Sequence, residues 1–127
     1  MEIKTSVNPP VEARKSDHGE NLANEVRLLF QSLPGLSVIE GEIPSSLAVL
    51  DFDEGISWCQ IDLNSSTFDL AAFETIYPYL LPGSHVIFDD YGFSRYKSTQ
   101  IALDNFLKDK KEGICELPTG QGLLIKS

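Results

Sequence analysis

Residues 82–93 read PGSHVIFDDYGF, and this stretch decides the fold class. A Pro-Gly turn leads into four residues, His85 to Phe88, whose β-branched and aromatic side chains predict a short strand. Asp89 and Asp90 follow this strand directly. In open α/β sheets ligands bind beyond the carboxyl ends of the strands, so both aspartates are predicted to lie at a functional edge.

Helices and strands alternate along the rest of the chain. Apolar side chains recur every three or four residues in the helical segments, and they alternate or cluster in the shorter strands. In chain order the pattern predicts a helix at 21–33, strands at 36–40 and 56–63, a helix at 69–80, the strand at 85–88, a helix at 99–108 and a hairpin with strands at 114–117 and 123–126. This order predicts an α/β fold with a mostly parallel sheet and a C-terminal antiparallel hairpin. The strand at 56–63 alternates only partly, as expected for a strand that is covered on both faces.

The N-terminal segment differs from the rest of the chain. Glu2 to Val7 alternate briefly, and Pro9, Pro10 and a mixed run of charges follow. Residues 1–20 are predicted to be a loose arm or an added edge strand, and residues 21–127 to form the folded domain. A chain of 127 residues with 42% hydrophobic content suffices for one core and leaves little room for a second domain.

The composition excludes two classes of partner. A formal charge of -9 repels a phosphate backbone, so no nucleic-acid partner is expected. The longest apolar runs are far short of the roughly 20 residues that span a bilayer, so no membrane partner is expected. The N-terminus has no secretory pattern, which predicts a cytoplasmic protein. Cys59 and Cys115 lie in strand-like segments and are predicted to be small buried side chains rather than a disulfide.

Three carboxylates are the candidate chemical site. Asp62 closes one predicted strand, and Asp89 and Asp90 close the next one along the chain. If these strands are neighbours, the carboxylates converge, and clusters of oxygen ligands of this kind bind Mg²⁺ or Ca²⁺. Aspartates after a strand also cap the following helix or loop by accepting backbone N–H groups, and both uses fit the spacing.

Several motifs in a fixed order resemble those of one enzyme family. The stretch 82–93 resembles the segment that macrocin O-methyltransferases carry after a crossover helix. Further matches follow the family's order at 41–47 (GEIPSSL), 61–62 (ID), 71–74 (AAFE), 102–106 (ALDNF) and 117–122 (LPTGQG). Over residues 22–126 the chain resembles the C-terminal half of these enzymes, which implies a truncated Rossmann-like methyltransferase sheet.

The resemblance implies methyl transfer from S-adenosylmethionine to a hydroxyl, a sugar hydroxyl in the best-known members, with Mg²⁺ at the acceptor. Asp62, Asp89 and Asp90 match the metal-binding aspartates of the family. A metal there would act as a Lewis acid that lowers the pKa of the acceptor hydroxyl. Glu40 and Gly41 could line the adenine side of a donor pocket, but they cannot replace the donor-binding half.

Three positions depart from the family pattern. Asn64 stands where sugar-modifying members have a second aspartate, and an amide cannot take a proton as a carboxylate does. Ser66 stands where they have a tyrosine. His85 replaces a small or apolar residue, and either a structural core or edge histidine or a catalytic base would fit there. No catalytic residue is assigned.

The donor-binding half of the fold is missing from the sequence. No Gly-rich turn follows a first strand, so S-adenosylmethionine binding by this chain alone is in doubt. Whether the chain is an enzyme by itself is therefore open. It is either a methyltransferase completed by an N-terminal half or a homodimer, or a non-catalytic binding or interaction module. Truncation would expose the edge of the strand ending at Asp62, which either Glu2 to Val7 or a second copy would cover.

Overall fold

The computed structural model describes residues 21–127, which fall in two compact units divided after Ser46. A 3-10 turn at Ser45–Val49 contains the division between them. The expectations for residues 1–20, including pairing of Glu2 to Val7 with a sheet edge, lie outside the described residues. Among residues 21–127, no helix is long and apolar enough to cross a bilayer.

The first unit contains one helix, α1, at Leu22–Leu29. It ends earlier than predicted because residues 30–35 continue as turns and a bend. Leu28 and Leu29 are 64% and 73% exposed, and α1 buries none of its side chains in the described structure. The amphipathic pattern predicted the helix correctly, but its apolar face stays largely exposed.

The strand predicted at 36–40 is wrong. A strand requires a partner whose backbone groups complete the ladder, and residues 36–40 form none in the described structure. The carbonyl of Val38 instead accepts a hydrogen bond from the Arg27 guanidinium at 3.3 Å, and the same guanidinium lies 3.6 Å from the Glu40 carboxylate. The segment is therefore held to α1 by one side chain.

The second unit is a four-stranded sheet with two helices. In chain order its elements are β1 (Ile56–Ile61), α2 (Ser66–Ile76), a 3-10 turn (Tyr77–Tyr79), β2 (Leu80–Phe88), a 3-10 turn (Ser94–Tyr96), α3 (Lys97–Leu107), β3 (Cys115–Glu116) and β4 (Gly122–Ile125). The spatial order is β1-β2-β4-β3, with β1 and β2 parallel and the other two pairs antiparallel. The predicted α/β class with a C-terminal antiparallel hairpin is confirmed, and the described sheet is mixed, with one parallel pair where a mostly parallel sheet was expected.

The central strand β2 begins earlier than the sequence predicted. Leu80 pairs with Ile56, and the register then shifts before His85 pairs with Trp58. Gly83, at a φ of +83°, donates its amide to the carbonyl of Lys126 at 2.8 Å. The Pro-Gly pair is thus an irregularity inside β2 rather than the turn predicted before the strand.

The core of this unit lies between one face of the sheet and the two helices. Val86, Phe88 and Leu124 alternate toward this face and are at most 2% exposed. Phe73 of α2 is fully buried and stacks edge-on against Phe88, with ring centroids 4.9 Å apart. Phe106 of α3 completes this aromatic contact at 5.3 Å from Phe73, so both helices cover the same face. Such edge-to-face pairs add to the stabilisation by burial alone.

The opposite face of the sheet is open in the described structure. Strand register places Trp58, His85 and Ile125 side by side across β1, β2 and β4. Trp58 and Ile125 are 59% and 54% exposed. The prediction that the strand at 56–63 is covered on both faces is therefore wrong, because α2 and α3 pack on one side only. We call this row of three residues the open row.

The edge position of β1 and the exposure of His85, Cys59 and Cys115 can be compared with the sequence predictions. β1 lies at one edge of the described sheet, as expected for the strand that ends at Asp62. His85 is exposed on the open face rather than buried in the core. Cys59 is half-buried, but Cys115 is exposed on the short strand β3, so the prediction of a buried side chain fails there.

Candidate metal centre

Three aspartates converge at the carboxyl ends of the parallel strands. Asp62 follows β1, while Asp89 and Asp90 follow β2, and the Asp89 amide donates to the carbonyl of Ile61 at 3.0 Å. This bond continues the parallel pairing past the strands and brings the three side chains together. One carboxylate oxygen from each lies within 4.8 Å of the other two. The structure therefore assembles the three carboxylates that the sequence singled out, and metal binding by them stays a prediction.

The spacing of these oxygens is compatible with a hard divalent cation. Ligand oxygens around one ion lie about 3.0–4.2 Å apart for Mg²⁺ and about 3.4–4.8 Å apart for Ca²⁺. The three oxygens all lie within 4.8 Å of one another, and small side-chain rotations from this arrangement reach either range. Three carboxylates without a sulfur or imidazole ligand also favour Mg²⁺, Ca²⁺ and Mn²⁺ over Zn²⁺ and Cu²⁺.

The three ligand candidates differ in burial. Asp90 is 8% exposed, Asp89 is half-buried and Asp62 is exposed. A cation held between them would rest on the buried Asp90 and face solvent on the side of Asp62. This gradient leaves coordination positions open, as a substrate hydroxyl requires.

Side-chain amides hold two of these carboxylates. Gln121, in the turn between β3 and β4, donates to Oδ1 of Asp89 at 2.8 Å, and Gln60 of β1 donates to the same oxygen at 3.4 Å. Asn64 donates to Oδ1 of Asp62 at 3.4 Å. Sequence reasoning noted Asn64 as a departure but missed the Gln121 contact, because only the antiparallel return of β4 brings that turn to the end of β2.

A fourth carboxylate, Asp69 on α2, lies near the cluster and was missed by the sequence reasoning. It is 3% exposed, accepts the Leu63 amide at 3.2 Å and accepts the Thr99 hydroxyl at 3.4 Å. Burial, together with the negative charge of Asp90, raises the pKa of Asp69 to about 6. The sequence predicts only that a helix begins at Asp69, and nothing local indicates the burial of its side chain.

The segment that follows the cluster docks on the C-terminal turn. The Gly92 amide donates to the carbonyl of Gly120 at 2.7 Å. A Cβ on Gly120 would lie only 2.8 Å from the Phe93 ring. Gly120 also has a φ of +87°, so a side chain there would be both crowded and strained. Tyr91 donates to Asp104 of α3 at 2.7 Å. The turn is therefore held at a fixed position beside the acidic cluster.

The two residues predicted for donor binding lie in the first unit. Glu40 is exposed and lies 3.6 Å from the Arg27 guanidinium. A Cβ on Gly41 would lie 2.7 Å from the Cβ of Ser46, so the bend has little space for a side chain. Donor binding by Glu40 and Gly41 stays a prediction.

The comparisons with known proteins bear on the fold. No family model and no curated protein sequence matches this chain. The solved apo structure of CalS11, a TDP-rhamnose 3'-O-methyltransferase of calicheamicin biosynthesis, is similar at a TM-score of 0.58 and 25% sequence identity. The chain has a methyltransferase fold. The similarity covers 81% of this chain and 47% of CalS11, so the chain spans about half the length of that enzyme.

Proposed function

We propose that this chain is the acceptor-side half of a divalent-cation-dependent O-methyltransferase that uses S-adenosylmethionine and acts on a sugar hydroxyl. The proposal rests on the cluster of Asp62, Asp89 and Asp90, whose carboxylate oxygens lie within 4.8 Å of one another, in a chain with a fold similar to that of a sugar O-methyltransferase. The more specific assignment to the macrocin O-methyltransferase family rests on the sequence motifs and is part of the same proposal.

In this proposal the aspartates divide the work by burial. Asp90 would be the buried ligand of a cation, and Asp62 and Asp89 would be its more exposed ligands, on the side where an acceptor approaches. Mg²⁺ bound there would polarise the acceptor hydroxyl and favour its deprotonated form. Asn64 is not the base, because its Oδ1 accepts a hydrogen bond from Tyr96 at 2.9 Å and its nitrogen has no basic lone pair.

The donor side is proposed to come from a second polypeptide segment, the N-terminal half of the fold. Two observations support this occupant. The chain spans only 47% of CalS11 and has no Gly-rich turn of its own. The open row Trp58, His85 and Ile125 also leaves one sheet face exposed, whereas parallel strands such as β1 and β2 are normally covered by helices on both faces. A second copy of this chain is the competing occupant.

Calorimetric titration with MnCl₂ or MgCl₂ tests the cation site. We expect the wild-type chain to bind one ion and Asp90→Asn, which is nearly isosteric, to bind at least about 10-fold more weakly. Asp109→Asn is the matched control, because it removes an exposed carboxylate outside the cluster. Equal binding by the wild type and Asp90→Asn would overturn the cation site.

Titration with S-adenosylmethionine, with and without Mg²⁺, combined with light scattering for mass, tests the donor side. A monomer that binds no donor is the expected result. Donor binding by a dimer would show that a second copy supplies the missing half, and donor binding by a monomer would overturn the need for a partner.

A non-catalytic binding module is the second candidate function. The open row favours it, since an exposed tryptophan and isoleucine on one sheet face suit contact with another protein. A chain that binds the cation and a protein partner, while the assembly binds no S-adenosylmethionine, would support this function over catalysis.

A further inference from the structure

Two amides beside the acidic cluster repeat the same arrangement. In each, a hydroxyl donates to the amide oxygen, and the amide nitrogen donates to Oδ1 of a cluster aspartate. We propose that Asn64 and Gln121 are positioning residues of the cation site, which orient Asp62 and Asp89 before the ion binds. This proposal rests on the proposed cation site. We call these two residues the amide pair.

Gln121 is held in one orientation by its own turn. Its carbonyl accepts the Leu117 amide at 2.7 Å, which fixes the backbone. The Thr119 hydroxyl donates to the side-chain Oε1 at 3.1 Å, so that Nε2 points to Asp89, 2.8 Å away. A terminal amide that could otherwise flip is thereby locked with its donor toward the carboxylate.

Asn64 is locked in the same way from the other side of the cluster. It adopts a left-handed backbone, with φ of +53°, which asparagine tolerates better than most residues. The Tyr96 hydroxyl donates to its Oδ1 at 2.9 Å, and its Nδ2 donates to Asp62 at 3.4 Å. Tyr96 comes from the 3-10 turn before α3, so the arrangement ties that turn to the end of β1.

Neutral amides suit this task better than charged donors. A lysine or arginine would also orient a carboxylate, but its charge would compete with the cation for the same oxygens. An amide fixes the plane of the carboxylate and leaves its negative charge in place. Groups that orient metal ligands in this way commonly contribute about 10–100-fold to metal affinity.

The test is Mn²⁺ affinity, measured by electron paramagnetic resonance of the free ion. Gln121→Met keeps the length of the side chain without its donor, and Asn64→Gly removes the amide at a φ that glycine adopts without strain. We expect each variant to bind Mn²⁺ about 10-fold or more weakly. Gln31→Met, an exposed glutamine in the first unit, is the matched control and is expected to bind like the wild type.

A double-mutant cycle separates positioning from a general structural role. Tyr96→Phe is expected to weaken Mn²⁺ binding several-fold in the wild type but to have no effect in Asn64→Gly, because the hydroxyl acts through the amide. Thermal unfolding in EDTA should show that the Gln121→Met and Tyr96→Phe chains remain folded.

The outcomes distinguish this proposal from the proposed function. A wild-type chain that binds no Mn²⁺ would overturn the cation site and the amide pair together. Wild-type binding that Gln121→Met and Asn64→Gly both leave unchanged would overturn the amide pair alone. Additive losses in the cycle would also overturn the proposed route from Tyr96 through Asn64.

Discussion

Two buried carboxylates in the second unit, Asp69 and Glu112, have opposite electrostatics. They are 3% and 9% exposed, respectively. Glu112 accepts hydrogen bonds from Lys126 at 2.7 Å and from Tyr77 at 2.7 Å, and the pKa of its carboxyl is held far below its usual range, chiefly by Lys126. Asp69 accepts the neutral Leu63 amide at 3.2 Å and the neutral Thr99 hydroxyl at 3.4 Å, and burial raises its pKa to about 6.

The difference shows that burial alone does not determine the charge state of a carboxylate. Glu112 has a cation in its own chain, Lys126, and so stays ionised inside the protein. Asp69 lies near Asp90, whose negative charge adds to the cost of ionising it. The charge of Glu112 is therefore balanced by Lys126, whereas the charges near Asp69 and Asp90 would be balanced by an added cation.

Removing the charge of Glu112 should have the largest effect on the free energy of unfolding. Glu112→Gln leaves the ammonium of Lys126, 19% exposed, without its carboxylate and is expected to destabilise the protein by about 2–4 kcal/mol in urea unfolding at pH 7. Glu112→Gln combined with Lys126→Met removes both charges and should recover part of this loss. A loss below about 0.5 kcal/mol for Glu112→Gln would refute the view that this pair stabilises the unit.

Neutralising Asp69 should stabilise the protein instead. The folded pKa of Asp69, about 6, lies above its ordinary value of 3.8, so its favourable contribution is complete below pH 3.8 and is lost as pH rises through 6. Asp69→Asn should therefore be more stable than the wild type by about 1–3 kcal/mol at pH 8, with the gain shrinking toward pH 4. Urea unfolding at several pH values measures this difference, and a gain that does not vary with pH would contradict it.

An added cation should balance the charge near Asp69 and Asp90, as Lys126 balances the charge of Glu112. With MgCl₂ or CaCl₂ at about 10 times its dissociation constant, the wild type should gain about 1.4 kcal/mol of unfolding free energy. The positive charge near Asp90 should also lower the pKa of Asp69, so the stability gain of Asp69→Asn at pH 8 should shrink. Asp90→Asn, which is expected to bind at least about 10-fold more weakly, should gain no more than about 0.4 kcal/mol at this concentration, and an equal response from it would assign the stabilisation to nonspecific salt.

The smallest effect is expected at the exposed ion pair of the first unit. Arg27 and Glu40 lie 3.6 Å apart with side chains 43% and 70% exposed. Glu40→Gln should change unfolding free energy by less than about 0.5 kcal/mol, because solvent screens the pair. A loss comparable to that of Glu112→Gln would mean that exposure is not what separates the two ion pairs.

The parts of the fold that the sequence predicted are those set by local pattern. The strand leading into Asp89 and Asp90 could be read from residues 82–93 because apolar residues, turn and acids are contiguous. The convergence with Asp62 followed from the rule that parallel strands end at the same edge. The strand at 36–40 failed because a strand depends on a partner that the local pattern does not specify.

The rest of the site depends on contacts between distant parts of the chain. Gln121 reaches Asp89 only because β4 pairs antiparallel with β2, which no spacing in the sequence reveals. The burial of Asp69 depends on Thr99 and α3 packing beside α2. One face of the strand at 56–63 is exposed because α2 and α3 both pack on the other face of the sheet. The alternation of residues within one strand does not specify where the helices pack.

The open row also provides an optical reporter. Trp58 is the chain's single tryptophan, and it lies 59% exposed on the uncovered face. Its fluorescence should therefore be red-shifted and readily quenched by acrylamide or iodide in the isolated chain. A polypeptide that covers this face would shift the emission to the blue and slow the quenching. Stopped-flow mixing would then give the rate of assembly without any added label.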